Sequence, residues 1–194
     1  MFDLTKEESL AFAKSLVLHI QNYKRSPKDR PGWTSGNLNA IRSFAEARYP
    51  NVKSYLARKH ARDGEMKDGE YLTFDYAAYI PNEGFLIFAE SEFDNNSNES
   101  LQGDFEKLLY VRSACKVMMA WVSDSVHAER VAADLSKYAR SVCREFSAGE
   151  VYVLYFSNWG SDMEEAVYYW QAPGDVNSCR AMNFQFDALS AMDA

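Results

Sequence analysis

The chain has 194 residues, 47% of them hydrophobic and 14% aromatic, which suits one domain with a substantial core, since a chain of this size buries about 70% of the surface it exposes when unfolded. That composition excludes wholesale disorder, and no apolar run approaches the roughly 20 residues of a membrane span. A net charge of −7 argues against holding nucleic acid by bulk attraction. The charge is uneven, however: residues 1–68 carry 13 Lys and Arg against 8 Asp and Glu, and residues 69–194 carry 8 against 20. The basic N-terminal third is either a surface that meets a phosphate backbone or, more commonly, a solvated charged face.

The start, Met1–Glu8, is acidic where a signal peptide would be basic, so the expectation is a cytoplasmic protein with no membrane partner. Cys115, Cys143 and Cys179 are odd in number and widely spaced, which indicates neither a disulfide framework nor a zinc site. His19, His60 and His127 are scattered without a second ligand at metal-binding spacing.

Thr5-Lys-Glu-Glu8 is a capping box, and Leu10, Ala13, Leu16, Val17, Ile20 and Tyr23 recur at helical spacing. An amphipathic helix is predicted over 6–23. Residues 24–32, with two prolines and four basic residues, break it. In 33–50, Ser35 offers an N-cap, Leu38, Ile41, Phe44 and Ala45 an apolar face, and Pro50 a stop, so a second helix is predicted. Residues 51–70 predict a short helix or strand, then an exposed hairpin-like loop around Asp63-Gly64 and Asp68-Gly69.

Tyr71–Ile80 and Phe85–Phe93 are aromatic and β-branched enough to be strands, joined by Pro81-Asn-Glu-Gly84. If Ile80 pairs with Phe85, the count outward sets Asp75 opposite Glu90 on one face, with Glu92 on that face two residues on. Facing carboxylates repel unless a cation or water separates them. Oxygen ligands converging in this way suit Mg²⁺, which is usually held by one or two carboxylates and several waters. After an Asn- and Ser-rich loop over 94–100, Phe105, Leu108, Leu109 and Val111 form a helical stripe flanked by Lys107. Cys115–Val122 reads as a buried strand.

Ser123-Asp-Ser125 caps a helix that keeps apolar phase from Ala128 to Phe146 and ends at Gly149. Residues 150–156 and 165–171 predict a hairpin that extends the sheet, and 183–187 a last edge strand. Tyr152, Tyr155, Tyr168, Tyr169 and Trp170 alternate as strand residues do. They form either a sheet core or, with the acidic charge of this region, a face for a protein partner.

Asp75, then Ala89-Glu90-Ser91-Glu92, then Asp104-Phe-Glu-Lys-Leu-Leu109 before a hydrophobic strand, resembles the core of the PD-(D/E)xK, or restriction-endonuclease-like, superfamily. The likeness is closest to bacterial members with E-S-E in place of the acid-x-lysine motif and a D-F-x-K-L-L helix after it. The resemblance spans roughly residues 35–122 and implies an α/β (α+β) fold, a mixed central sheet flanked by helices, here with an antiparallel C-terminal extension. One domain would then cover 1–194, with N-terminal helices over 1–50, the motif region over 71–122, and a helix and strands over 123–194.

In active members the resemblance implies a phosphodiesterase site dependent on Mg²⁺ (or Mn²⁺) and acting on nucleic acid. Asp75 and Glu90 would hold the metal, and Lys107 would stand in for the lysine that Glu92 replaces. Glu92 would serve as a further ligand or base, and Glu46 on the preceding helix is an additional candidate acid, set against its pairing with Arg42 on the helix surface. The same replacement also fits a non-catalytic member that binds a protein, and the sequence leaves room for a homodimer.

Overall fold

The computed structural model describes residues 6–23, 30–57, 74–93, 98–142, 149–158, 165–172 and 184–189. Four helices, α1 (Lys6–Asn22), α2 (Arg30–Arg48), α3 (Asn98–Tyr110) and α4 (Ser125–Ser141), accompany seven strands. These are β1 (Lys53–Leu56), β2 (Tyr76–Ile80), β3 (Gly84–Glu92), β4 (Cys115–Trp121), β5 (Val151–Ser157), β6 (Ala166–Gln171) and β7 (Asp187–Ala188). All seven lie in one sheet in chain order. β1 to β3 are antiparallel, β3 to β5 parallel, and β6 and β7 return antiparallel. The fold is a mixed α/β sheet with helices on both faces.

The period of two along each strand divides the interior into two cores. Cys115, Val117 and Met119 of β4, with Val151, Val153 and Tyr155 of β5, face α1 and α2. Met118, Ala120, Tyr152, Leu154 and Phe156 face α3 and α4. Because both faces are covered, β5 is buried throughout and β4 up to Trp121, which is why these strands read as unbroken apolar runs. The β3–α3–β4 and β4–α4–β5 crossovers step the same way across the sheet. A common right hand therefore places α3 and α4 on the same side, leaving the other side to α1 and α2.

Several boundaries differ from the sequence expectation. α2 begins at Arg30 rather than after Ser35, because the first turn needs no N–H partner and tolerates a proline; Ser35 is interior, its carbonyl accepting from Asn39 Nδ2 at 2.7 Å. α3 begins at Asn98, inside the predicted loop. α4 starts as expected, Asp124 Oδ1 accepting from His127 N at 2.8 Å, but ends at Ser141 with Val142 as its C-cap. Gly149, with φ of 78°, leads into β5 instead. The last strand has two residues, while Phe184 and Phe186 before it are buried in the α3/α4 core. The capping-box Thr5, the basic loop 24–29, the segment 58–73, Cys143, Phe146 and Cys179 lie outside the described residues. No helix among the described residues is long and apolar enough to cross a membrane.

Candidate functional site

The site rests on the β2–β3 hairpin, whose register departs from the simple count and then recovers it. Ile80 pairs with Gly84 and Tyr79 with Phe85, so the loop has three residues, with Asn82 at a φ of 69°, a conformation asparagine tolerates better than most residues. A register shift follows between Ala78 and Tyr79, after which Ala78 pairs with Ile87, Ala77 with Phe88 and Tyr76 with Ala89. Leu86 is the extra residue of a β-bulge, and the consequence is visible in packing: consecutive Leu86 and Ile87 both enter the α1/α2 core. The bulge cancels the tighter turn. Continuing the ladder one step therefore sets Asp75 level with Glu90.

Asp75 and Glu90 are both buried. Asp75 lies just before β2 and its Oδ2 accepts from Ser91 N at 3.1 Å, so it is anchored to β3. Its charge acts on Glu90. Glu90 receives the Lys107 ammonium at 2.5 Å, its own side chain 3% exposed and that of Lys107 33%. Lys107 also reaches Asp104 Oδ1 at 2.8 Å and lies 5.9 Å from the centre of the Phe74 ring. The long aliphatic stem of lysine allows this, running along the helix flank while the head meets the acids.

Burial pushes the Glu90 carboxyl up to about 8, against the opposing hydrogen bond and charge of Lys107, with the charges of Asp104 and Asp75 pushing it further upward. For Lys107, burial acts downward but the bonds and charges of Asp104 and Glu90 outweigh it, and its ammonium is held above the ordinary value. Among the described residues the cluster thus brings Glu90, Asp75 and Asp104 around Lys107, with Glu92 at the end of the same strand.

Glu92 is drawn toward α3, where its Oε2 accepts from Ser100 Oγ at 2.9 Å. Ser100, Asp104 and Lys107 follow at spacings of four and three, which is one flank of a helix. Next to that flank, Leu101, Phe105, Leu108 and Leu109 fill the core. The D-F-x-K text has a plain physical sense here: the phenylalanine docks the helix while the aspartate and lysine share its rim.

Glu46 stays apart. It is exposed on α2 and bonded to Arg42 at 2.8 Å, and its charge is felt at Tyr76, which belongs to the α1/α2 core. The aromatic residues weighed as a partner face are largely interior: Tyr152, Tyr155 and Trp170 are buried and Tyr168 and Tyr169 half-buried.

Sequence reading passed over a second ion pair. Lys116 of β4 and Glu150 just before β5 meet at 3.0 Å, 0% and 3% exposed. The ammonium lies 4.5 Å from the centre of the Tyr152 ring, whose hydroxyl donates to Glu150 Oε2 at 3.4 Å. Lys116 sits in the apolar run Cys115–Val122, and a lone lysine in a buried strand is itself the signal of a buried partner. Cys115 beside it has its thiol pushed up to about 12 by burial, which makes it an inert core residue.

Among the described residues no three His, Cys, Asp or Glu side chains converge as a complete metal cage. The donors present, the carboxylates of Asp75 just before β2 and of Glu90 on β3, nevertheless fit a hard cation that keeps much of its water. Comparison with protein-family profiles, curated proteins and solved structures finds no match.

Proposed function

We propose that the chain is a Mg²⁺- or Mn²⁺-dependent phosphodiesterase acting on nucleic acid. The observation that carries this reading is the Lys107 ammonium held on buried Glu90, with Asp75 fixed beside it by Ser91 N. Asp75 and Glu90 are the residues to hold the cation. When bound, such a cation supplies Lewis acidity and a more acidic water. Lys107 offsets charge as it builds on the phosphate and orients the attacking water, and Glu92 provides a carboxylate two residues along the strand to accept a proton. The mixed sheet flanked by helices agrees with the architecture that the motif text implies.

The test is cleavage of end-labelled single- and double-stranded DNA and RNA with Mg²⁺, Mn²⁺ or a chelator, for the natural chain, Glu90→Gln and Lys107→Ala. Metal-dependent cleavage that both variants lose is the expected result. Lys107→Ala should spare metal binding, since a water-orienting group acts in the transition state more than on the ligand. A second reading, a non-catalytic domain of this architecture that binds a protein, draws on Glu92 standing where the motif has lysine and on the net charge of −7. Metal binding without cleavage of any of these substrates would select it.

A further inference from the structure

We propose that Asp104 is a second seat for the Lys107 ammonium, so that a divalent cation arriving at Asp75 and Glu90 displaces the lysine from Glu90 onto Asp104. The inference rests on the metal-binding reading above. The amine bridges the two acids, 2.5 Å from Glu90 and 2.8 Å from Asp104. These contacts differ in kind. Glu90 belongs to the sheet and is almost fully buried, whereas Asp104 is three residues from Lys107 on the same helix and 24% exposed. The Asp104 contact therefore survives any change at the sheet, and a short rotation about the lysine stem is all the transfer requires.

Displacement is the natural response to a cation, because a divalent charge on Glu90 offsets the carboxylate's hold on the ammonium and repels it at short range. Among the described residues, the charged groups around the amine include Glu90 and Asp75 from the sheet side, Asp104 from its own helix, and Glu92 at the strand end, itself tied to Ser100. Asp104 is the carboxylate already bonded to the amine and not required by the cation. It lets the lysine step aside without leaving the site. Asp104 is thus a positioning residue that acts through Lys107.

Calorimetric titration of Mn²⁺ and of Mg²⁺ into the full chain tests this through a double-mutant cycle. Asp104→Asn should weaken Mn²⁺ binding about tenfold when Lys107 is present and at most about twofold in a Lys107→Met background, a coupling in the usual range for contacting charged groups. Asp104→Glu, which keeps the seat, should recover binding to within about threefold of the natural chain. Unchanged circular dichroism and melting of Asp104→Asn establish that the fold is retained. An equal loss in both backgrounds would mean that Asp104 acts as a simple charge or a ligand, and overturns the second-seat idea while leaving the metal site standing. Absence of binding heat for the natural chain with either cation overturns the metal site and this inference together.

Discussion

Two lysines meet glutamates on the same face of the sheet, and they do so under opposite rules. Lys116 and Glu150 form a closed pair, both almost wholly buried, with Tyr152 covering the ammonium and donating to the carboxylate. Positive and negative charge match one to one. Around Lys107 the same chemistry is left open: the lysine side chain is a third exposed, and among the described residues Glu90, Asp104, Asp75 and Glu92 lie around it. A buried pair of this kind is shut off from water, whereas a part-exposed cluster of carboxylates is open to a cation that keeps much of its water. The first arrangement lies within the core, and the second is the one proposed above to hold a cation.

The largest effect that tests this contrast falls on the closed pair. Lys116→Met should cost about 3–5 kcal/mol in urea unfolding, because it strands Glu150 as an uncompensated buried charge. Replacing both partners, Lys116→Met with Glu150→Leu, should recover most of that loss, since apolar groups of similar volume often substitute for a buried pair. Neither change should alter divalent-cation binding. A single variant that loses less than about 1 kcal/mol would show that the pair is not closed, but reached by water.

The open cluster should respond to pH through Glu90. A carboxyl whose folded value lies above its unfolded one binds its proton more tightly in the folded chain. Its contribution to stability is then fully present below the unfolded value and is lost as pH rises through the folded one. For Glu90 that window runs from 4.5 to about 8. Lys107, held above its ordinary value, stays charged throughout and does not alter the sign. The metal-free melting temperature should therefore fall across this window, Glu90→Gln should flatten the fall, and saturating Mn²⁺ should reverse it at the alkaline end. Because the proton must leave Glu90 before the cation binds, affinity should rise up to about tenfold per pH unit below pH 8. A melting temperature that climbs across the same range would contradict the assignment of Glu90 as the raised carboxyl.

Asp75→Asn comes next in size. The variant keeps an oxygen for Ser91 N and removes one of two neighbouring negative charges, so stability should change by less than about 1 kcal/mol. Its divalent-cation response should vanish. Asp75→Ala, which removes the acceptor as well, should lose about 1–3 kcal/mol by leaving the Ser91 N–H without this partner. The difference between the two variants separates the anchoring role of Asp75 from its role toward a cation.

Much of the fold was legible in the sequence, and what was not has definite physical causes. The strands of the core were readable because burial on both faces demands unbroken apolar runs, and α4 because Asp124 caps an apolar stripe. The level placement of Asp75 and Glu90 came out of a wrong turn and an unforeseen bulge that offset each other, and neither Asn82 nor Leu86 announces itself, since a bulge is set by packing on both strands. The start of α3 was hidden in Asn- and Ser-rich text that suits a cap as well as a loop. The Lys116–Glu150 contact joins residues distant in the chain but brought together by the parallel β4–β5 register, which no local pattern encodes. Asp104 was in view within the motif, yet its role depends on Lys107 leaning toward the sheet.

The smallest expected effect concerns the edge of the open cluster, and it decides what Glu92 is for. Ser100 Oγ donates to Glu92 Oε2 at 2.9 Å, a part-buried bond joining the first turn of α3 to the end of β3. Ser100→Ala should cost about 0.5–1.5 kcal/mol, the usual net worth of such a bond. If Glu92 serves as a proton acceptor rather than a ligand, Mn²⁺ affinity should stay within about twofold of the natural chain while the cleavage rate falls, because releasing Glu92 unseats the acceptor and leaves the metal's donors in place. If the freed carboxylate instead swings onto the cation, affinity should rise. A tightening of about fivefold or more would move Glu92 into the ligand set and leave the attacking water to Lys107.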